Sequence, residues 1–225
     1  MSRDATPPAP PGLREAKKQE TRQLISDVAT DLFLSQGFEQ TTIAEIAAAA
    51  RVAKKTVTNY FPRKEDLALD HQDAFIASLA DTVTGRQAGE PALAALRRAF
   101  ADAAAAADPV AGFSGTGFAR MIADSPTLSA RLRDLHDLRE AALADALADT
   151  TGTPRGDITP RTAAALLGAV HRTLFQRIQE LTLTGQDNAQ ISATVIAESD
   201  RAFGLLESSL ADYASNVRVR RTGRQ

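Results

Sequence analysis

Between Gly37 and Pro62 the chain carries two helical segments of about eight residues, Ile43 to Ala50 and Lys54 to Phe61, joined only by Arg51-Val52-Ala53. Helices this short do not persist alone in water. Both must therefore pack on a larger neighbour, and no other feature limits the fold as strongly. The segment from about Arg14 to Gln36 supplies that neighbour, since Leu24, Ile25, Val28, Leu32 and Phe33 form an apolar stripe at helical spacing. Gly37 ends this helix. Thr41 or Thr42 caps the next, and Pro62 ends the third. Ile43, Ile46 and Ala47 give the first short helix an inward face. Val52 and Val57 plug the gap between the pair, and the small residues Ala47 to Ala50 allow close approach.

A tight pair of this kind is the helix-turn-helix arrangement, whose second helix enters the major groove of DNA. The charge distribution agrees. All five lysines, Lys17, Lys18, Lys54, Lys55 and Lys64, lie in the first 64 residues. From Ile46 to Lys64 the chain holds Arg51, Lys54, Lys55, Arg63 and Lys64 and no acid, within a protein of net charge -2. Such a one-signed stretch suits a polyanion partner, although a solvated basic face would read the same way. Lys54, Lys55, Thr58 and Asn59 point away from Val57, and such side chains reach base edges. Thr56, Tyr60 and Lys64 are placed for phosphates, and Arg51 in the turn is a further phosphate candidate. Thr42 sits at a helix N-terminus, where free N–H groups attract a phosphate.

The remainder reads as helix throughout and predicts an all-α fold, because no segment alternates apolar and polar residues at period two. A long helix is expected from Lys64 to about Val83. Others run from Glu90-Pro91 to Ala106, from Phe118 to Ala123, from Ser125-Pro126 to Asp149, from Thr159-Pro160 to Gly185, and from Asn188 to Ser215. The domain reading is a disordered arm over 1–16, a DNA-binding domain over 17–67, a ligand and dimer domain over 68–215, and a flexible basic tail over 216–225. Leu166, Leu167, Val170, Leu174, Ile178 and Leu181 stripe one late helix, and Ile191, Val195, Ala202, Leu206 and Leu210 the other. Stripes of this length serve either a core or a four-helix dimer interface. For a small-molecule pocket the candidates are Phe75, Phe100, Phe118, Met121, His136, His171 and Phe175, with His71, Phe113, Arg139 and Arg172 as further contributors.

Several function classes find no support. The chain has no cysteine, so it has no disulfide framework or thiolate metal site, which fits a cytoplasmic protein. No apolar run is long enough for a membrane span, and the N-terminus lacks the order of a signal peptide. A glycine-rich phosphate loop, a spaced acid pair and a metal-ligand spacing of histidines are all missing, so no catalytic site, metal or cofactor is expected.

The ordered residues Leu32-Phe33, Gly37-Phe38, Thr41-Thr42-Ile43-Ala44-Glu45-Ile46-Ala47, Val52, Thr56-Val57 and Tyr60-Phe61-Pro62-Arg63-Lys64-Glu65-Asp66-Leu67 resemble the DNA-binding domain of the TetR family of repressors over about residues 17 to 70. The resemblance implies a homodimer on double-stranded operator DNA, and a helical C-terminal domain whose small-molecule effector releases the operator. It puts base reading on Lys54, Lys55, Thr58 and Asn59, and phosphate contacts on Thr42, Thr56, Tyr60 and Lys64. The sequence departs from the family in three places. Arg51 stands at a turn position usually held by glycine, Thr58 replaces an aromatic residue, and Ala44 is too short to reach a base. The long helix from Lys64 would be the rigid link from pocket to DNA. The rival reading is a DNA-bound interaction protein whose C-terminal domain recruits another protein; an apolar cavity would argue against it, and an exposed apolar patch for it.

Overall fold

A computed structural model describes residues 12–215. The expectations for the first eleven residues of the arm and for the tail over 216–225 lie outside the described residues. Among the described residues there are eleven α-helices, one short 3₁₀ turn and no strand. The chain divides into two compact units, one ending at Asp70 and one beginning at His71.

The first unit is built on α1 (Gly12–Gln36), α2 (Ile43–Ala49), α3 (Lys54–Tyr60) and α4 (Lys64–Ala68). α1 begins at Gly12, so residues 12–16, expected in the arm, are helical. Its buried stripe is Ile25, Ala29 and Phe33, whereas Leu24 is exposed. Gly37 takes φ +89, where a side chain would be strained, and its N–H caps Phe33 O at 2.9 Å. α2 opens on a capping box. The Thr42 hydroxyl accepts from Glu45 N, and Thr42 N donates to Glu45 Oε2 at 2.8 Å. That bond from Thr42 N, with a second from the Thr42 hydroxyl to the same Oε2, holds the Glu45 carboxyl below its ordinary range. α1 packs on α2 and α4, and α2 on α3. The core between them is Ile25, Phe33, Phe38, Ile46, Val57, Phe61 and Leu67.

The helix expected from Lys64 to Val83 does not form as one piece. It breaks at Leu69–His71, between α4 and α5 (Gln72–Gly85), with Leu69 at φ -113 and ψ 50. Neither glycine nor proline causes the break. Leu67 and Ala68 are drawn into the first core, and Ser26 Oγ on α1 donates to Asp70 Oδ2 at 2.6 Å, holding the chain against α1 just where the helix would continue.

The second unit adds α6 (Ala92–Ala105), α7 (Gly115–Asp124), α8 (Pro126–Thr151), α9 (Ile158–Leu183), α10 (Asn188–Gly204) and α11 (Glu207–Leu210). α5 packs on α8, α8 on α9, α9 on α10, and α10 on α6, so these helices enclose one core. α7 starts three residues before the expected Phe118 and lies on α8 and α9. Gly112, at φ +125, brings its backbone so close to α9 that an added Cβ would sit 3.2 Å from the Phe175 ring. The helix expected to Ser215 ends instead at Gly204, because the chain must turn to bury Leu210 and Ala214. The buried Arg86 guanidinium fixes that return by donating to Val83 O and Ala214 O. Of the two expected stripes, Leu167, Leu174, Ile178, Leu181, Ile191, Val195 and Leu210 belong to this unit's own core.

Candidate DNA-binding and effector sites

The first unit presents α3 as a helix with one buried side. Val57 is fully buried, while Lys54, Lys55, Thr58 and Asn59 are exposed, and Thr56 and Tyr60 are half-buried. Two residues of the turn, Arg51 and Val52, set its angle to α2. Val52 N donates to Ala47 O at 2.9 Å, Arg51 N donates to Ala48 O at 3.2 Å, and Arg51 adopts φ +55. A β-carbon in that left-handed region costs roughly 1 kcal/mol. Arg51 and Thr42 are both exposed, Thr42 at the N-terminus of α2. No acid lies on the stretch from Ile46 to Lys64. Glu45 is engaged in the capping box.

Lys64 is placed otherwise than a free surface lysine. Its ammonium donates to Phe38 O at 2.8 Å, Thr41 O at 3.2 Å and, more weakly, Glu39 O at 3.4 Å, and it lies 4.2 Å from the centre of the Phe38 ring. An ammonium has three donors. Those of Lys64 are directed at the carbonyls that connect α1 to α2, whose chain carries Thr42.

In the second unit a cavity of about 200 Å³ lies among α5, α6, α8 and α9. Leu79, Leu96, Phe100, Ala103 and Val110 form apolar wall; Ser78, Thr82, Asp108, Arg139 and His171 supply polar atoms. Of the expected pocket residues, Phe100, Arg139 and His171 line it. Phe75, His136 and Phe175 form a cluster of edge-on rings with centroids 5.0–5.8 Å apart, and Phe75 lies under the Arg139 guanidinium. Phe118 and Met121 sit on α7 and do not line this cavity. The sequence offers no local signal for Ser78, Thr82 or Asp108, which come together only in the fold. Asp108 marks itself as a cap before Pro109, and its Oδ1 does accept from Val110 N at 2.8 Å.

Burial controls the charges here. It lowers the His136 pKa from 6.5 to about 4, with the nearby Arg139 and Arg172 adding to the effect. His171 is pushed well below the ordinary range by burial, then by Arg139 and His136. Both imidazoles are neutral at pH 7. Burial also lowers the Arg139 pKa to about 10, which leaves the guanidinium charged.

A four-helix unit whose α3 faces outward and carries no acid, followed by an all-helical unit with a partly open cavity, defines a one-component helix-turn-helix regulator. The family model described as bacterial regulatory proteins, tetR family, matches residues 25–70. The model described as MftR C-terminal domain matches residues 90–207. The HTH-type transcriptional regulator TcmR of Streptomyces glaucescens is 31% identical over 173 residues, covering 74% of this chain and 76% of that protein. AcrR of Shigella flexneri is 49% identical over 49 residues, 22% of this chain and 23% of that protein. Among solved structures, a TetR-family regulator from Syntrophomonas wolfei superposes with a TM-score of 0.54 at 17% identity, over 83% of this chain and 96% of that one. NalD of Pseudomonas aeruginosa, described as the secondary repressor of the MexAB-OprM multidrug efflux pump, gives 0.50 at 17% identity over 83% and 97%. The chain belongs to the TetR family. It is a DNA-binding transcriptional regulator. Among the described residues no helix is long and apolar enough to cross a membrane.

Proposed function

We propose that the protein is a homodimeric repressor that leaves its operator when a small molecule fills the cavity of the second unit. The observation that carries the DNA reading is the outward face of α3, where Lys54, Lys55, Thr58 and Asn59 surround no acid and oppose the buried Val57. In this reading Lys54, Lys55, Thr58 and Asn59 face base edges. Thr42, Arg51, Thr56 and Tyr60 hold phosphates, with Lys64 keeping the loop before Thr42 in place. The domain division proposed runs from the helix-turn-helix unit to Asp70 and the ligand and dimer unit from His71.

The dimer reading draws on what the second core leaves outside. The exposed residues Thr162, Leu166, Ala169, Thr173 and Gln176 follow one another along α9 at spacings of three and four and carry no charge. The recess supports a small-molecule effector over a recruited protein, because it is concave and combines apolar wall with a few convergent polar groups. Selection of bound sequences from a random duplex pool tests the whole. A pseudo-palindrome with half-sites one helical turn apart is expected, about 34 Å centre to centre. Asn59→Ala should then change the preferred bases. A sequence-independent pool, or a change in overall affinity alone, would overturn the assignment of α3 to base reading.

A further inference from the structure

Arg139, expected from the sequence as a further contributor to the pocket, is a buried charge in the second unit. Its side chain is only 6% exposed, and it lines the cavity. Nε donates to Ser78 Oγ at 2.9 Å, and the guanidinium lies 4.5 Å over the Phe75 ring. Among the described residues it makes no ion pair with a carboxylate, and the only influence on its pKa is burial. Asp108 lines the same cavity, but the oxygen it has placed is turned to Val110 N. An unpaired buried cation is costly. A second polar atom shares this condition: His171 Nε2 is buried and has no hydrogen-bond partner.

We propose that the effector is a small apolar carboxylate whose anion pairs with the free edge of the Arg139 guanidinium. The proposal rests on the reading of this cavity as the effector site. The planar fork of a guanidinium matches the two oxygens of a carboxylate. The neutral His171 can donate from Nε2 to the same anion or to a carbonyl beside it. Leu79, Leu96 and Phe100 take the apolar part. A dry cavity of about 150 Å³ is known to accept benzene, so about 200 Å³ suits one substituted ring or a short alkyl chain. A cation of the same shape would meet Arg139 directly, and a neutral amide would leave its charge uncompensated.

The test uses the full chain and matched pairs: benzoate, phenylacetate and hexanoate, each beside its primary amide, in thermal melts at pH 7. The acids should raise Tm in a saturable way and the amides should not. Arg139→Met should weaken acid binding at least tenfold while leaving the ligand-free Tm unchanged or higher, since a buried unpaired charge has been replaced by an apolar chain of similar length. Amides that match their acids, or an Arg139→Met variant that keeps the preference for acids, would overturn the proposal. Should that variant fail to fold by circular dichroism, the wild-type comparison decides alone. A neutral apolar dye such as Nile red separates the two readings. If the dye enters and no acid binds, the carboxylate class is wrong and the effector cavity stands; if neither binds, both fail.

Discussion

Lys64 and Arg51 show how a side chain read correctly as basic can have a second task. By sequence alone Lys64 is a phosphate contact at the start of a helix. In the structure its ammonium closes the loop between α1 and α2 through carbonyls of Phe38, Glu39 and Thr41. Lys64→Ala is therefore expected to destabilise the first unit by about 1–3 kcal/mol, the range for buried or part-buried acceptors that lose a charged donor. Urea unfolding without DNA checks this; unchanged stability would return Lys64 to a purely phosphate role. Arg51 carries the opposite balance. Its φ of +55 is a conformation glycine adopts freely. Arg51→Gly should raise stability by up to about 1 kcal/mol, while operator affinity falls through loss of a positive charge. A melting curve and a binding isotherm on the same variant separate the two effects. The strain at Arg51 was legible because the motif demands a turn there. The Lys64 clasp was not, because its partners lie some 23–26 positions earlier in the chain.

At the scale of helices, local punctuation was a good guide and long-range ties were not. Gly37, the threonine cap of α2 and the Pro126 start of α8 all act through neighbours a few residues away, and each marks a boundary where the structure has one. The break at Leu69–His71 depends on Ser26, more than forty positions away, so Lys64 to Val83 reads as uninterrupted helix. The cavity is similarly non-local, since its lining comes from α5, α6, α8, α9 and the turn at Asp108. The packing of α8 on α9 has a pH consequence. His136 on α8 is neutral in the fold, with a pKa of about 4 against 6.5 when free. Above pH 6.5 neither state binds the proton. Between 6.5 and about 4 only the unfolded chain binds it, so stability falls, and below that the loss levels off. Its full size is about 3 kcal/mol from His136, and His171 acts in the same direction. The second unit should thus be about 2 kcal/mol less stable at pH 5 than at pH 7 in urea titrations. His136→Gln should flatten that slope.

For the whole molecule, the interrupted connection between α4 and α5 removes the picture of one rigid lever. Residues 69–71 are element-terminal positions of the kind that absorb backbone rotation in hinges. An effector can then release DNA only through its different affinity for the DNA-competent and released states. A hundredfold preference corresponds to about 3 kcal/mol, and operator DNA must weaken effector binding by that same factor. Calorimetric titration of effector with and without saturating operator measures this, and equal affinities would refute coupled release.

The lysines turn this architecture into something a reagent can see. No amine-bearing side chain occurs after Lys64. Lys54 and Lys55 are exposed on α3, whereas Lys64 is half-buried against carbonyls. Acetylation followed by mass spectrometry therefore samples the first unit alone, with a built-in slow site at Lys64. Operator duplex should shield Lys54 and Lys55 while Lys17 and Lys18 stay reactive, giving a footprint of the DNA surface without a single mutation.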